Sequence, residues 1–139
     1  MASIHQEILI DATPDTVWDA VADIGALHTR LAPGFVVDTQ LVVGADPAVR
    51  IVTFGNGAVA REVIIDRDDI RRRLVWTIQG ESVAHHNGAI VIVDAGEGRS
   101  RVVWTADVLP HALADVYGPA MGVGLGVMKS HLERPPARA

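Results

Sequence analysis

The chain has 139 residues, of which 49% are hydrophobic and 21% charged, a balance that excludes a largely disordered polypeptide and suits one domain with one core. With 12 Lys and Arg against 17 Asp and Glu, the net charge of −5 would repel a phosphate backbone, so nucleic acid is not an expected partner. There is no cysteine, which excludes disulfides, thiolate catalysis and cysteine-ligated zinc and fits a cytoplasmic protein.

The segment SIHQEILID, residues 3–11, alternates apolar Ile4, Ile8 and Ile10 with polar neighbours and predicts a half-buried strand. Neither a basic leader with an apolar core nor a run of about 18 apolar residues occurs, so membrane insertion is not expected. Thr13 is placed to cap a helix, Pro14 suits its first position, and Asp15 favours its positive end. Val17, Trp18, Val21 and Ile24 then form an apolar face. Gly25 ends this helix, and ALHTRL makes a second short turn before Pro33 and Gly34.

From Phe35 the texture changes to β: FVVDTQLVV, RIVTFG, AVAREVIID, RRLVWTIQ, HNGAIVIVD and RVVWTADVL, separated by GADP, GNG, DRDD, QGE and AGEG. Short turns between successive strands predict an antiparallel meander. In residues 112–133, Leu113, Val116, Tyr117, Ala120, Met121, Gly124, Leu125, Met128 and Leu132 recur at steps of three and four, the mark of one helix face. Pro119 is expected to kink this helix or divide it near Gly118, leaving an irregular first turn or two. Gly118, Gly122, Gly124 and Gly126 each weaken a helix by about 1 kcal/mol relative to Ala, so the face must need their small size. Residues 1–134 read as a single domain, without repeat or linker, and 135–139 as a frayed tail. A sheet this long must curl, and the terminal helix is the natural cover for its concave face, with a space between them.

The order of an early strand, ATPDTVWDAVADIGALHTRLAPGF, the Glu-bearing AREVIIDRDD, AHHNGAIVIV and RVVWTADVLP resembles the polyketide cyclase/dehydrase-like branch of the START-related helix-grip superfamily, SRPBCC, over nearly the whole chain. The resemblance implies an α+β helix-grip fold: a curved seven-stranded antiparallel sheet wrapped around a long C-terminal helix, with two short helices after strand 1. It also implies an internal cavity for a hydrophobic or aromatic small molecule, lipid- or polyketide-like. Members of that superfamily include ligand carriers, plant hormone receptors and aromatase/cyclases. No cofactor is implied. A metal is not expected either, since adjacent strand residues cannot chelate together and no HxH or HExxH spacing occurs.

Polar groups on such a cavity wall are the candidates for function, because each is costly to bury without a partner or a ligand. His85 and His86 are adjacent on a strand and point to opposite faces. The family pattern puts His86 on the pocket wall with Gly88 and Ile90; the alternative is a surface pair at a strand end. Related pocket proteins carry an acidic residue on the inner wall where this chain has Glu62. Facing inward, it would accept a hydrogen bond from a ligand hydroxyl, orient His86, or act as an acid. The alternative is an outward Glu62 paired with an Arg of a neighbouring strand. Arg61 has the opposite parity, and a one-residue bulge would exchange the two.

Trp76 matches an aromatic position of the family's pocket wall, whereas Trp18 belongs to a core stripe of the first helix. Trp104 is ambiguous: Val102, Trp104, Ala106 and Val108 make an inner face, yet polar pocket groups of some relatives sit on the strand's other parity. Tyr117 offers a hydroxyl from the terminal helix. Alignment with the family sets Val116, Ala120 and Gly124 on the cavity side at i, i+4, i+8, flanked by Met121 and Met128. The glycines then read as a wall cut back to leave volume, the alternative being close helix-to-sheet packing. DRDDIRRR reads as a solvated hairpin end, GVGLG lacks the setting of a phosphate loop, and Ser82, Ser100 and Ser130 show no sign of an activated nucleophile.

Three functions remain open at this point. In the first, a soluble monomer or homodimer binds an apolar small molecule with Glu62 and His86 as polar anchors. In the second, a cyclase/dehydratase-type enzyme uses the same two groups as acid and base. In the third, the cavity is collapsed and the terminal helix serves a protein interaction.

Overall fold

The computed structural model describes residues 2–133, and the tail expected to fray lies outside them. Strand β1 (Ala2–Ile10) leads into helix α1 (Pro14–Ala22), where the Thr13 hydroxyl accepts the Thr16 amide at 3.2 Å and Pro14 opens the first turn. This is the cap that the sequence predicts, and α1 buries Val17, Trp18, Ala20 and Val21. ALHTRL forms a single π-helical turn (Leu27–Leu31) that buries Leu27 and Leu31.

Six strands follow: β2 (Val36–Leu41), β3 (Val49–Phe54), β4 (Val59–Asp68), β5 (Arg73–Gln79), β6 (His85–Gly96) and β7 (Arg99–Leu109). They make the predicted meander, and β1 adds to its far edge, giving one antiparallel sheet in the order β1-β7-β6-β5-β4-β3-β2. Strands β1 and β2 are its two edges, so the sheet curls without closing. At the β6–β7 hairpin, Glu97 and Gly98 have φ of 55° and 73°, two successive left-handed residues of the kind that match the right-handed strand twist.

A 3₁₀ turn (His111–Leu113) precedes helix α2 (Ala114–Leu132), which runs unbroken through Pro119. The irregular segment is thus that preceding turn, and no division occurs near Gly118. Pro119 and Asp115 are both exposed, so the ring and the turn that lacks its amide bond lie on the solvent side of the helix. Helix α2 lies along β1: Gln6 Nε2 donates to the Gly118 carbonyl at 3.2 Å, and Lys129 Nζ to the Leu9 carbonyl at 2.9 Å. The Asp11 amide closes the far end on Glu133 Oε2 at 2.7 Å.

Apolar burial divides into two clusters. One gathers α1 and the π-helical turn under the sheet, with Ile10, Val17, Val21, Leu74 and Val102 nearly inaccessible. The other sits beneath the start of α2 and comprises Ile4, Ala106, Val108 and Met121. Each Ile, Leu, Val or Met among them contributes about 1.5–3 kcal/mol when fully removed from water. Trp104 packs against both clusters, and the space between them is not filled by side chains.

Candidate functional site

That space is a cavity of about 250 Å³. Its floor is Val21, Leu27 and Leu31, its wall is the concave face of the sheet, and its roof is the Tyr117, Ala120, Met121 and Met128 side of α2. Exposed lining residues concentrate at one end, where Val59 follows the β3–β4 turn, Gln79 ends β5, and Gly80 and Ser82 belong to the β5–β6 connection. The cavity opens to solvent there.

Glu62 faces inward and is 5% exposed. Alternation along β4 sets Ala60, Glu62 and Ile64 on one face, and the bulge between Ile64 and Asp66 comes after Glu62, so Arg61 stays outside. Directly opposite Glu62 in the β3–β4 register stands Arg50, which is 3% exposed. Arg50 Nε donates to Glu62 Oε1 at 2.8 Å, Nη1 reaches the Ile24 carbonyl at 3.4 Å, and the guanidinium lies 5.6 Å from the Trp76 ring centroid. The sequence reading offers either an inward Glu62 or an outward one paired with an Arg of a neighbouring strand; Glu62 is inward, and the Arg it pairs with is buried beside it. The sequence does not single out Arg50, although it shares the parity of Val52 and Phe54 on β3.

His86 is 6% exposed and lies on the cavity wall, with Gly88 and Ile90 on the same buried face. Glu62 does not orient it. The backbone amide of Ile78 donates to His86 Nδ1 at 3.0 Å, and Thr77 Oγ1 donates to the His86 carbonyl at 2.6 Å. Register pairing of β5 with β6 runs only as far as Trp76 opposite Gly88. Beyond it, the imidazole accepts an amide hydrogen that a β6 carbonyl would otherwise take. Burial lowers the imidazole to about 4, and the neighbouring charge on His85 acts in the same direction. A neutral ring with Nδ1 accepting must carry its proton on Nε2. No hydrogen bond to that nitrogen occurs among the described residues, and since none of their fully buried side-chain polar atoms lacks a partner, Nε2 keeps some access to open space.

Aromatic rings fill in around these groups. Trp76 and Trp104 meet at 6.0 Å between centroids, and Tyr117 stands edge-on to His86 at 5.9 Å. Trp104 points inward, in line with Val102, Ala106 and Val108. Trp18 is core, its indole donating to Asp69 Oδ1 at 3.1 Å. Burial raises the Tyr117 hydroxyl above its ordinary value, and the negative charge of Glu62 adds to this, so the phenol stays protonated near neutral pH.

Two of the helix positions lie elsewhere than the sequence suggests. Val116 is 62% exposed and outside the cavity. At 3.6 residues per turn, each step of four advances about 40° around the helix, so the 116, 120, 124 stripe spirals from solvent toward the core. Ala120 is accordingly half-buried at the cavity and Gly124 buried. Gly124 does not leave empty volume. A Cβ built there would stand 2.9 Å from Phe35 Cε2 and 3.2 Å from Trp104 Cζ3, so the missing side chain seats two rings that themselves line the cavity. Gly88 does the same on β6, where a Cβ would meet His86 Cε1 at 3.0 Å and Trp76 Cε2 at 3.1 Å.

Similarity to known proteins agrees with this architecture. A protein from Thermobifida fusca, solved in solution, is 27% identical, with a TM-score of 0.78 over 95% of this chain and 93% of that one. The Zhui aromatase/cyclase from Streptomyces sp. R1128 is 16% identical, with a TM-score of 0.78 over 96% and 94% of the two chains. Norcoclaurine synthase from Thalictrum flavum is 20% identical, with a TM-score of 0.69 over 96% and 87%. No curated protein matches the sequence. The family model for polyketide cyclase/dehydrase and lipid transport matches residues 1–134. The helix-grip sheet, its C-terminal helix and this match over almost the entire sequence establish that the chain belongs to the polyketide cyclase/dehydrase and lipid transport family.

Proposed function

We propose that the chain binds a compact aromatic or otherwise apolar small molecule in the cavity, with Arg50, Glu62, His86 and Tyr117 meeting its polar end. One observation carries the reading: in an otherwise apolar cavity, no hydrogen bond to His86 Nε2 occurs among the described residues and Glu62 gives only one oxygen to Arg50. Polar atoms exposed to such a space are satisfied by water or by a ligand. The collapsed-cavity alternative fits poorly with about 250 Å³ of open space. The acid/base alternative finds less support, because the ring nitrogen with a lone pair already accepts from Ile78 and Glu62 is paired with Arg50 rather than His86. The reading keeps a cytoplasmic monomer or homodimer that does not use nucleic acid, the net charge of −5 weighing against a phosphate backbone.

The reading is tested by extracting purified protein with organic solvent, identifying any retained compound by mass spectrometry, and titrating the emptied protein with two-ring aromatic compounds. Saturable one-to-one binding that Ala120→Trp abolishes supports it. No retained compound and no saturable binding by any of these compounds would sink it.

A further inference from the structure

We infer that the solvent face of helix α2 is a self-association surface, on which two copies of the chain pack with their α2 helices antiparallel. The inference does not depend on the ligand reading above.

A helix on the surface of a domain carries polar side chains on its outer side, and α2 departs from this. From Val116 to Met128 no residue is charged. The inner side of that stretch is accounted for by the sheet, the cavity and Phe35. On the outer side, Val116, Pro119, Val123, Gly126 and Ser130 follow one another at steps of three and four, which keeps them on one seam. Val116 is 62% and Val123 60% exposed. Gly118 faces Ile4 and Gly124 faces Phe35 and Trp104, but a Cβ built on Gly126 would meet nothing within 4 Å. Among the described residues nothing requires a glycine there, although Gly is a poorer helix former than Ala. A second helix laid on the seam supplies the reason, because small residues at the contact let two helix axes approach closely.

Charge selects the occupant. Asp115 lies in the first turn of α2, and Lys129 and His131 lie in its last. Val123 is midway between Asp115 and His131, about 12 Å along the axis from each at about 1.5 Å per residue. A second copy crossing antiparallel at Val123 therefore brings Asp115 of each chain level with Lys129 and His131 of the other, and aligns the helix dipoles favourably. Asp115 has no hydrogen bond or ion pair among the described residues. Lys129 Nζ donates to the Leu9 carbonyl at 2.9 Å and to Glu133 Oε2 at 2.6 Å, which leaves a further donor. A parallel pair would instead set acid against acid. A bilayer suits the seam less well. Helices that lie on membranes combine large apolar side chains with Lys and Arg along the polar face, whereas this seam consists of small residues on a chain of net charge −5. One face of a 19-residue helix is smaller than the roughly 800 Å² per partner of stable complexes, so the dimer is expected to be weak, with a Kd of about 100 µM. At low micromolar concentration, where unfolding is measured, the chain is then monomeric.

The test is sedimentation velocity of the full chain from about 10 µM to about 1 mM, with ¹H–¹⁵N NMR spectra recorded over the same dilution series. The expected result is a reversible dimer whose dilution shifts concentrate at the amides of Val116, Val123 and Gly126. Val123→Glu, at an exposed position outside the cavity lining, should weaken association at least about tenfold while its spectrum stays that of the folded chain. Asp115→Lys should weaken it about threefold. A chain that is still monomeric at about 1 mM overturns the inference, whether or not it binds vesicles of phosphatidylcholine and phosphatidylglycerol. So does a dimer that Val123→Glu leaves intact, or one whose dilution shifts fall elsewhere, as on the exposed Val37 and Leu41 of edge strand β2. Unchanged association of Asp115→Lys overturns the antiparallel arrangement.

Discussion

Arg50 and Glu62 face each other across the β3–β4 ladder and share one hydrogen bond of 2.8 Å in the interior, each less than a tenth exposed. Two desolvated charges of this kind contribute little net stability as a pair, but either alone is an uncompensated buried charge. Arg50→Met is therefore expected to destabilise the fold by about 3–5 kcal/mol, and the double variant with Glu62→Leu to recover most of that loss. Urea denaturation of the two single variants and the double measures the coupling directly. Additive losses would mean that the pair does not act as a unit.

The pH dependence of stability has a definite sign. His86 titrates near its ordinary value when unfolded and at about 4 when folded, so the unfolded chain binds the extra proton between those values. Stability from this group is fully present above about pH 6.5 and falls as the pH drops toward 4, with a slope of at most about 1.4 kcal/mol per pH unit. His86→Gln can keep an acceptor for the Ile78 amide while removing the titration. Denaturation midpoints measured from pH 4 to 7 should decline less steeply in His86→Gln than in the unsubstituted protein, and parallel profiles would contradict the assignment.

Much of this arrangement was legible in the sequence, and the gaps have physical reasons. Alternation on a regular strand is enough to bring Glu62 and His86 to one face, and a Thr-Pro-Asp start is enough to begin α1. Arg50 escaped because a cation next to Val49 reads as a solvated strand end, and only its partner across the ladder explains its burial. The partner of His86 depends on where β5 and β6 stop pairing, a relation between residues 78 and 86 that no local pattern encodes. On α2, treating every fourth residue as one stripe ignored the drift of the helix, which carries Val116 into solvent and Gly124 against Phe35.

The glycines of α2 should behave differently from one another. Nothing lies within 4 Å of a Cβ built on Gly126, so Gly126→Ala is expected to raise stability by about 0.5–1 kcal/mol through helix propensity alone. Gly124→Ala presses on the Phe35 ring at 2.9 Å and is expected to lower stability by about 1 kcal/mol or more. Thermal or urea unfolding of the two variants separates these effects, and equal stabilisation by both would mean that the rings do not depend on Gly124.

Position along the helix also sorts binding from non-binding residues. Val116→Ser removes an exposed methyl pair and should change stability by less than about 0.5 kcal/mol while leaving affinity for aromatic compounds intact. Ala120→Leu adds three carbons at the cavity roof and should weaken that affinity at least tenfold, roughly 1.4 kcal/mol. Calorimetric titration of both variants checks the contrast.

The most direct test of the cavity's role uses the methyl groups of Met121 and Met128, which are buried at the cavity roof. In methyl-labelled protein titrated with 2-acetylnaphthalene, an aromatic ring bound in the cavity predicts saturable shifts of both methyl signals and of the Trp76 and Trp104 indoles, with the core Trp18 indole little changed. Unmoved Met121 and Met128 methyls at saturating ligand would contradict binding in the cavity.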